Sequence, residues 1–522
     1  MSESRRTFLW NTGALAASAW LGWPLERAES SPRVDVRAHG ARGDGRAKDT
    51  RAIQQAMDAA AAAGGTVHFP PGDYLSGTLR LRSRTTLHLE AGATLIASPD
   101  DADFDGLEAL GYDTHADDET SDFAFALLQG RDVKQLRILG PGRIDANRTS
   151  RHGPKPIALK LCQRIDIRDL TIANAGNYTI SLLGCEEVNI QGVAILNGYS
   201  DGIDPDCCRN VRIADCTVES RDDAVCLKAS FALGVRRATE NVRVSGCRLT
   251  TQHNAIKLGT ESSGDFRNIA ISDCTITGRR HPWKVHMTSG LSLQAVDGGT
   301  LEHVAVWNLK MSDVRVPIFV RHARRGRAQR VAIPGSLRDV SISDVLATGA
   351  LEASSITGIP GHPVERIALE HIRVRTMGGG RPESLDVPEM ERRYPDAFMF
   401  HGLPGYGLYC RHVAALTVKD IQLTVDLPDA RPAVVLDSVD DVDLRALRAA
   451  HPIDGGPLLW LHAVRNGHLR DIGSRPEGKT VARISGAATA GVRVEQRGTD
   501  QLVMVDGDVN AHAVRRDAWA PR

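Results

Sequence analysis

Ten segments of the 522-residue chain repeat one pattern of apolar and polar positions. The pattern reads CQRIDIRDLTI from 162, CEEVNIQGVAI from 185, CRNVRIADCTV from 208, TENVRVSGCRL from 239 and FRNIAISDCTI from 266. It continues as LEHVAVWNLKM from 301, LRDVSISDVLA from 337, VERIALEHIRV from 364, VAALTVKDIQL from 413 and VDDVDLRALRA from 439. Apolar and polar residues alternate within each phrase, the period of a strand with one buried face. Glycine, asparagine and aspartate between phrases supply turns. Phrase starts fall 23–36 residues apart, apart from one gap of 49 between 364 and 413. A unit of that size cannot bury a face alone and must stack on its neighbours. The pattern predicts an all-β chain wound as a right-handed parallel β-helix. A β-propeller would need longer antiparallel blades, and leucine-rich repeats need a leucine and asparagine frame that is absent.

One helix is expected ahead of the coils. Asp49 or Thr50 can cap a helix running to about Ala63, which Gly64 and Gly65 end. Its apolar side carries Ile53, Ala56, Met57 and Ala60, so it can cover the open end of the solenoid. Charged stretches around 100–122 and 145–157 read as loops over a groove. The divisions that follow are 31–150 for the cap and first coils, 151–455 for the main β-helix, and 456–522 for closing coils or a tail. After about 455 the pattern weakens, although VARISGAATAGVRVEQ and QLVMV still read as strands.

Composition narrows the surroundings of this solenoid. Lysine plus arginine equals aspartate plus glutamate, 64 each, which gives no electrostatic case for nucleic acid or a membrane surface as partner. Residues 1–30 hold a twin arginine, Arg5 and Arg6, followed by an apolar stretch that looks like a bacterial twin-arginine export signal. No apolar run elsewhere is long enough to span a bilayer. The expectation is a periplasmic or secreted protein, monomeric and without membrane insertion. Nine cysteines are present. The ninth position of the phrase is filled by Leu170, Val193, Cys216, Cys247 and Cys274 in turn, so cysteine there substitutes for an aliphatic residue facing inward.

Stacking gives meaning to three acids. Asp201 and Asp222 are about one coil apart, which should set Asp201 almost beneath the adjacent pair Asp222 and Asp223. Three crowded carboxylates repel, so at least one should hold its proton unusually tightly. Cleavage of a glycosidic bond needs that division, one protonated carboxyl and one ionised carboxylate. Turn-capping aspartates or a calcium site fit the spacing as well. Asp204 and Asp206 read as support for the following turn. Lys228 and Lys257, in VCLK and AIK, could bind sugar hydroxyls or an acidic substrate, or hold the acids in place.

These phrases resemble the polygalacturonase family of glycoside hydrolases, family 28, over about residues 34–450. The family phrase Asn-Thr-Asp-Gly-(Ile/Phe)-Asp lies over Tyr199-Ser200-Asp201-Gly202-Ile203-Asp204, and its Asp-Asp pair over Asp222-Asp223. The opening AHGARGDG and GGTVHFPPGDYLSG is similar to that of pectin-active, pectin-lyase-like β-helices. The resemblance implies an inverting hydrolase without a metal or other cofactor. Asp222 would be the general acid, with Asp201 and Asp223 holding and activating the water. Gly-His-Gly-Ile-x-Ile-Gly falls on His253-Asn254-Ala255-Ile256-Lys257-Leu258-Gly259, which shifts the histidine by one residue and makes both His253 and Asn254 candidates for substrate contact. The Arg-Ile-Lys phrase that grips galacturonate carboxylates falls on Ser292-Leu293-Gln294, so both cations are missing and Gln294 is a substrate-binding candidate. Lys228 and Lys257 complete the substrate-binding set.

The implied substrate is a pectic poly- or oligosaccharide, with rhamnose-bearing fragments competing with polygalacturonate. Long segments at 100–157 and 378–410 suggest a blocked groove and exo action. Tyr394, Phe398, Phe400 and Tyr406 could stack on sugars or pack their loop onto the coil, and Trp283 and His286 share that ambiguity. A noncatalytic carbohydrate-binding β-helix, or a lyase of the same fold, is the alternative.

Overall fold

The computed structural model describes residues 32–278, 287–382, 384–473, 480–496 and 502–518. The export-signal stretch, Trp283 and His286 lie outside the described residues. Almost every strand pairs in parallel with the strand one coil further along the chain. The fold is a right-handed parallel β-helix with a short N-terminal helix, as the repeat predicts. No helix among the described residues is long and apolar enough to cross a membrane.

The helix spans Thr50–Ala63 and buries Ile53, Ala56, Met57 and Ala60, the four residues its periodicity selects. Gly64 closes it in the left-handed conformation, φ 65°. Asp49 holds the N-cap position, as expected, but its side chain makes no hydrogen bond to the helix. That carboxylate instead accepts from the backbone N–H groups of Arg42 and Gly43, at 2.8 and 2.9 Å.

The chain divides into two compact units, the first reaching to His253 and including Ser263–Ile271, the second made of Asn254–Ser262 and the chain from Ser272 onward. In the first unit a coil holds three short strands. Lys155–Lys160, Gln163–Arg168 and Thr171–Ala173 form one; Ile180–Leu183, Glu186–Gln191 and Ala194–Leu196 form the next. Ile165 stacks on Val188, Val188 on Val211 and Val211 on Val242, all buried. Each such aliphatic side chain contributes about 1.5–3 kcal/mol by leaving water. All nine cysteines are buried.

The corners lie inside the repeat phrase, not only between phrases. Its third residue, from Arg164 through Asn241 to Asp441, has a φ of 52–59° in all ten units. The eighth, such as Asp169, Gly192 and Asp215, is left-handed too. A side chain in that conformation is strained by roughly 1–2 kcal/mol, least for asparagine and aspartate, which explains their frequency there. In the second unit the strands lengthen, with Ser336–Ala350, Val364–Gly378 and Leu408–Leu427 paired in parallel and one register shift between Thr348 and Ala350. Beyond 455 the coils continue: Leu459–His462, Thr480–Ser485 and Leu502–Val505 stack in parallel, as do Arg465–Ile472, Val492–Gln496 and Val514–Ala518.

Candidate active site

In the first unit, strand Ile203–Asp206 lies against Val225–Ala229, with Ile203 opposite Val225 and Asp206 opposite Lys228. The same offset, carried back along both chains, brings Asp201 to Asp223. The Asp223 backbone N–H donates to Asp201 Oδ1 at 3.1 Å, and the Gly202 N–H to the Asp223 carbonyl at 2.9 Å. Asp222 is fixed beside them, its carbonyl accepting from the hydroxyls of Ser220 and Thr251. A carboxylate oxygen of Asp222, one of Asp223 and a ring nitrogen of His253 all lie within 4.8 Å of one another.

The three acids differ in exposure. Asp201 and Asp223 are each 3% exposed, whereas the Asp222 side chain keeps 20% of its surface. Beneath Asp201, the Lys228 ammonium donates to Asp201 at 3.1 Å and Asp204 at 2.5 Å, and lies 3.9 Å from the Tyr178 ring centroid. Burial raises the Asp201 carboxyl well above its ordinary range; Lys228 opposes this and Asp222 and Asp223 reinforce it. Burial also raises Asp204, against Lys228. For Lys228 burial works downward, but Asp204, Tyr178 and Asp201 outweigh it and hold the ammonium charged.

Two of the expected roles change with this geometry. Asp204 and Asp206 do not serve the following turn. They point the same way from a buried strand, as alternate residues do. Asp204 meets Lys228, and Asp206 accepts from the backbone N–H and hydroxyl of Ser230. Lys228, a substrate-binding candidate, is buried at 3% and takes the other role left open for it, holding the acids.

The histidine register also resolves. His253 stands in the bend before strand Asn254–Ser262 and places Nδ1 3.7 Å from Asp222 Oδ1. Asn254, one residue on, is buried and accepts from the Ser289 hydroxyl at 2.6 Å. A bend thus restores the one-residue shift.

Asn254, Lys257 and Gln294 belong to the second unit. There Lys257 Nζ lies 3.3 Å from the Tyr394 hydroxyl, and Gln294 donates to Ser292 Oγ at 2.8 Å and to the Pro395 carbonyl at 3.2 Å. Both therefore meet the long segment at 378–410. Of the aromatics in that segment, Phe400 and Tyr406 are buried and Phe398 packs under Arg315, while Tyr394 stays 54% exposed.

Sequence reasoning missed Arg151 and Glu119. Arg151 Nη1 donates to Asp222 Oδ2 at 2.6 Å, while its Nε and Nη2 donate to the two Glu119 oxygens at 3.0 and 2.5 Å. Both come from the charged stretches read as loops. Nothing in their local sequence separates them from the other charges there.

A parallel β-helix that stacks three aspartates, one of them open to solvent, has the parts of an acid–base hydrolase. A family model described as glycosyl hydrolases family 28 matches residues 85–390, more than half of the chain. The chain belongs to that family and is an enzyme of the glycosidase type. A probable polygalacturonase of Vitis vinifera is 25% identical over 377 residues, 67% of this chain and 74% of that protein. A polygalacturonase of Ralstonia solanacearum is 25% identical over 336 residues, 52% of this chain and 61% of its own length. Among solved structures, an exopolygalacturonase from Thermotoga maritima superposes with a TM-score of 0.56 at 19% identity, over 66% of this chain and 87% of that one. The family 28 exopolygalacturonase of Yersinia enterocolitica gives 0.54 at 18%, over 80% and 76%.

Proposed function

We propose that the protein hydrolyses O-glycosidic bonds of pectic poly- or oligosaccharides by a single inverting displacement. The observation that carries this reading is the layering of the three aspartates, with Asp222 outermost and Asp201 and Asp223 buried over Lys228. Asp222 donates its proton to the leaving oxygen as the glycosidic bond breaks. Asp201 and Asp223 hold a water between them, and the Asp223 carboxylate takes its proton as the water oxygen bonds the anomeric carbon. The Arg151 guanidinium, which donates to Asp222 Oδ2, is placed to hold the carboxylate left after the step. His253 stands on the same carboxyl and is placed to orient it or a sugar hydroxyl.

The pectic substrate is supported by the polygalacturonases among the relatives, with Ser292 and Gln294 in place of two cations as the departure. The long segments at 100–157 and 378–410 favour attack from chain ends. Arg5, Arg6 and the apolar stretch after them favour twin-arginine export to the periplasm or beyond.

Asp222→Asn should lower kcat by at least about 10²-fold while oligosaccharide binding persists. NMR of the first product should show the anomeric configuration inverted. Retention would overturn the single displacement, and a product absorbing in the ultraviolet would mark a lyase.

A further inference from the structure

The site is crowded with carboxyl groups. Asp201, Asp204, Asp222 and Asp223 lie together, and Glu119 stands one guanidinium away from Asp222. Lys228 is buried against Asp201 and Asp204, with its side chain only 4% exposed. The ionised members of this set would repel an acidic sugar unless a cation met it at the surface.

Arg151 is placed to do so. Its side chain is 43% exposed, although it is clamped on two sides. A guanidinium has five N–H donors in a fixed plane. Glu119 takes two of them and Asp222 a third. The remaining two meet no acceptor among the described residues.

The clamp is anchored in the fold. Glu119 lies in the helical turn Asp118–Ser121, where the Asp117 carboxylate accepts from the Thr120 N–H at 3.0 Å. Next to Arg151, the His152 N–H donates to the Gly176 carbonyl at 2.6 Å. A planar fork with two spare donors matches a carboxylate, which a lysine ammonium does not.

We propose that Arg151 is the specificity residue for acidic sugars, receiving on its two spare N–H groups the carboxylate of a uronic acid unit next to the bond at Asp222. Glu119 is its positioning residue, turning the fork outward. The proposal rests on the hydrolase reading only for the place of the bond. It assigns the carboxylate-binding cation to the 145–157 loop, at a residue other than 292 or 294.

The test is titration calorimetry of the full-length protein with a galacturonate trisaccharide and its methyl-esterified form. The wild type should prefer the acid by about tenfold or more, the effect of a charge-assisted pair. Arg151→Ala should bind both equally. Glu119→Gln should weaken acid binding and raise KM on the acid more than it lowers kcat. A wild type with no acid preference, or an Arg151→Ala that keeps it, overturns the assignment. Should Arg151→Ala fail to fold, Arg151→Lys decides: a preference cut at least threefold supports it and an unchanged one overturns it. Acid-selective binding without turnover of any pectic substrate would leave this assignment standing and remove the hydrolase reading. Turnover without acid selectivity would do the reverse.

Discussion

Asp206 shows how burial at a single position reaches the stability of the fold. Its carboxyl is pushed up to about 6 by burial, against two hydrogen bonds from Ser230. An unfolded chain releases that proton near the ordinary value of about 3.9. Between these values the folded state holds a proton that the unfolded state has lost. The group's contribution to stability is therefore complete below about pH 4 and disappears as pH rises through 6. Asp206→Asn removes the titration. From pH 4 to 7 the wild type should lose on the order of 2–3 kcal/mol relative to this variant, read from denaturant unfolding at each pH. An equal or opposite slope would refute the assignment. Single residues also mark how far the sequence can be read. The proximity of Asp201 to Asp223 follows from counting one coil. The contact of Arg151 with Asp222 spans 71 residues and two irregular loops, and no periodicity records it.

The strand and corner are the elements that repeat, and the corner is where sequence choice is sharpest. Asn210, Asn241 and Asn268 occupy successive left-handed corners of the first unit. Asn241 donates to Asn210 at 3.0 Å and accepts from Asn268 at 3.1 Å, so the side chains form a ladder along the coil edge. Asn241→Ala removes both bonds and puts a less tolerant residue at a φ of 56°. The ladder is exposed, which limits each bond's net worth, so a loss of about 1–2 kcal/mol is expected in chemical unfolding. No loss would mean that the corner is held by the strands alone. The period-two phrases revealed the strands, and the period of 3.6 revealed the helix. The placement of corners at the third and eighth residues stayed hidden, because Arg164, Glu187 and Ala415 take the same conformation without its usual residue types.

Across the whole molecule the cysteines test the reading of the core. All nine lie buried, several of them one above another in successive coils. Burial raises Cys185 and Cys207 well above the ordinary thiol value, so neither is a ready nucleophile. A thiol reagent should find no reactive group in the native protein and nine after denaturation. Fewer than nine would reveal a disulfide and overturn the packing role. The amino-acid sequence by itself determined the parallel β-helix, its capping helix and the approach of Asp201 to Asp222 and Asp223. A repeating alternation fixes which face is buried and how far apart stacked residues fall. Only the tertiary structure decided that Lys228 is sealed beneath the acids, that a bend brings His253 to Asp222, and that Glu119 holds Arg151 on the same carboxylate. Those outcomes depend on loop paths and on which charges find partners once water is excluded, and the repeat carries no record of either.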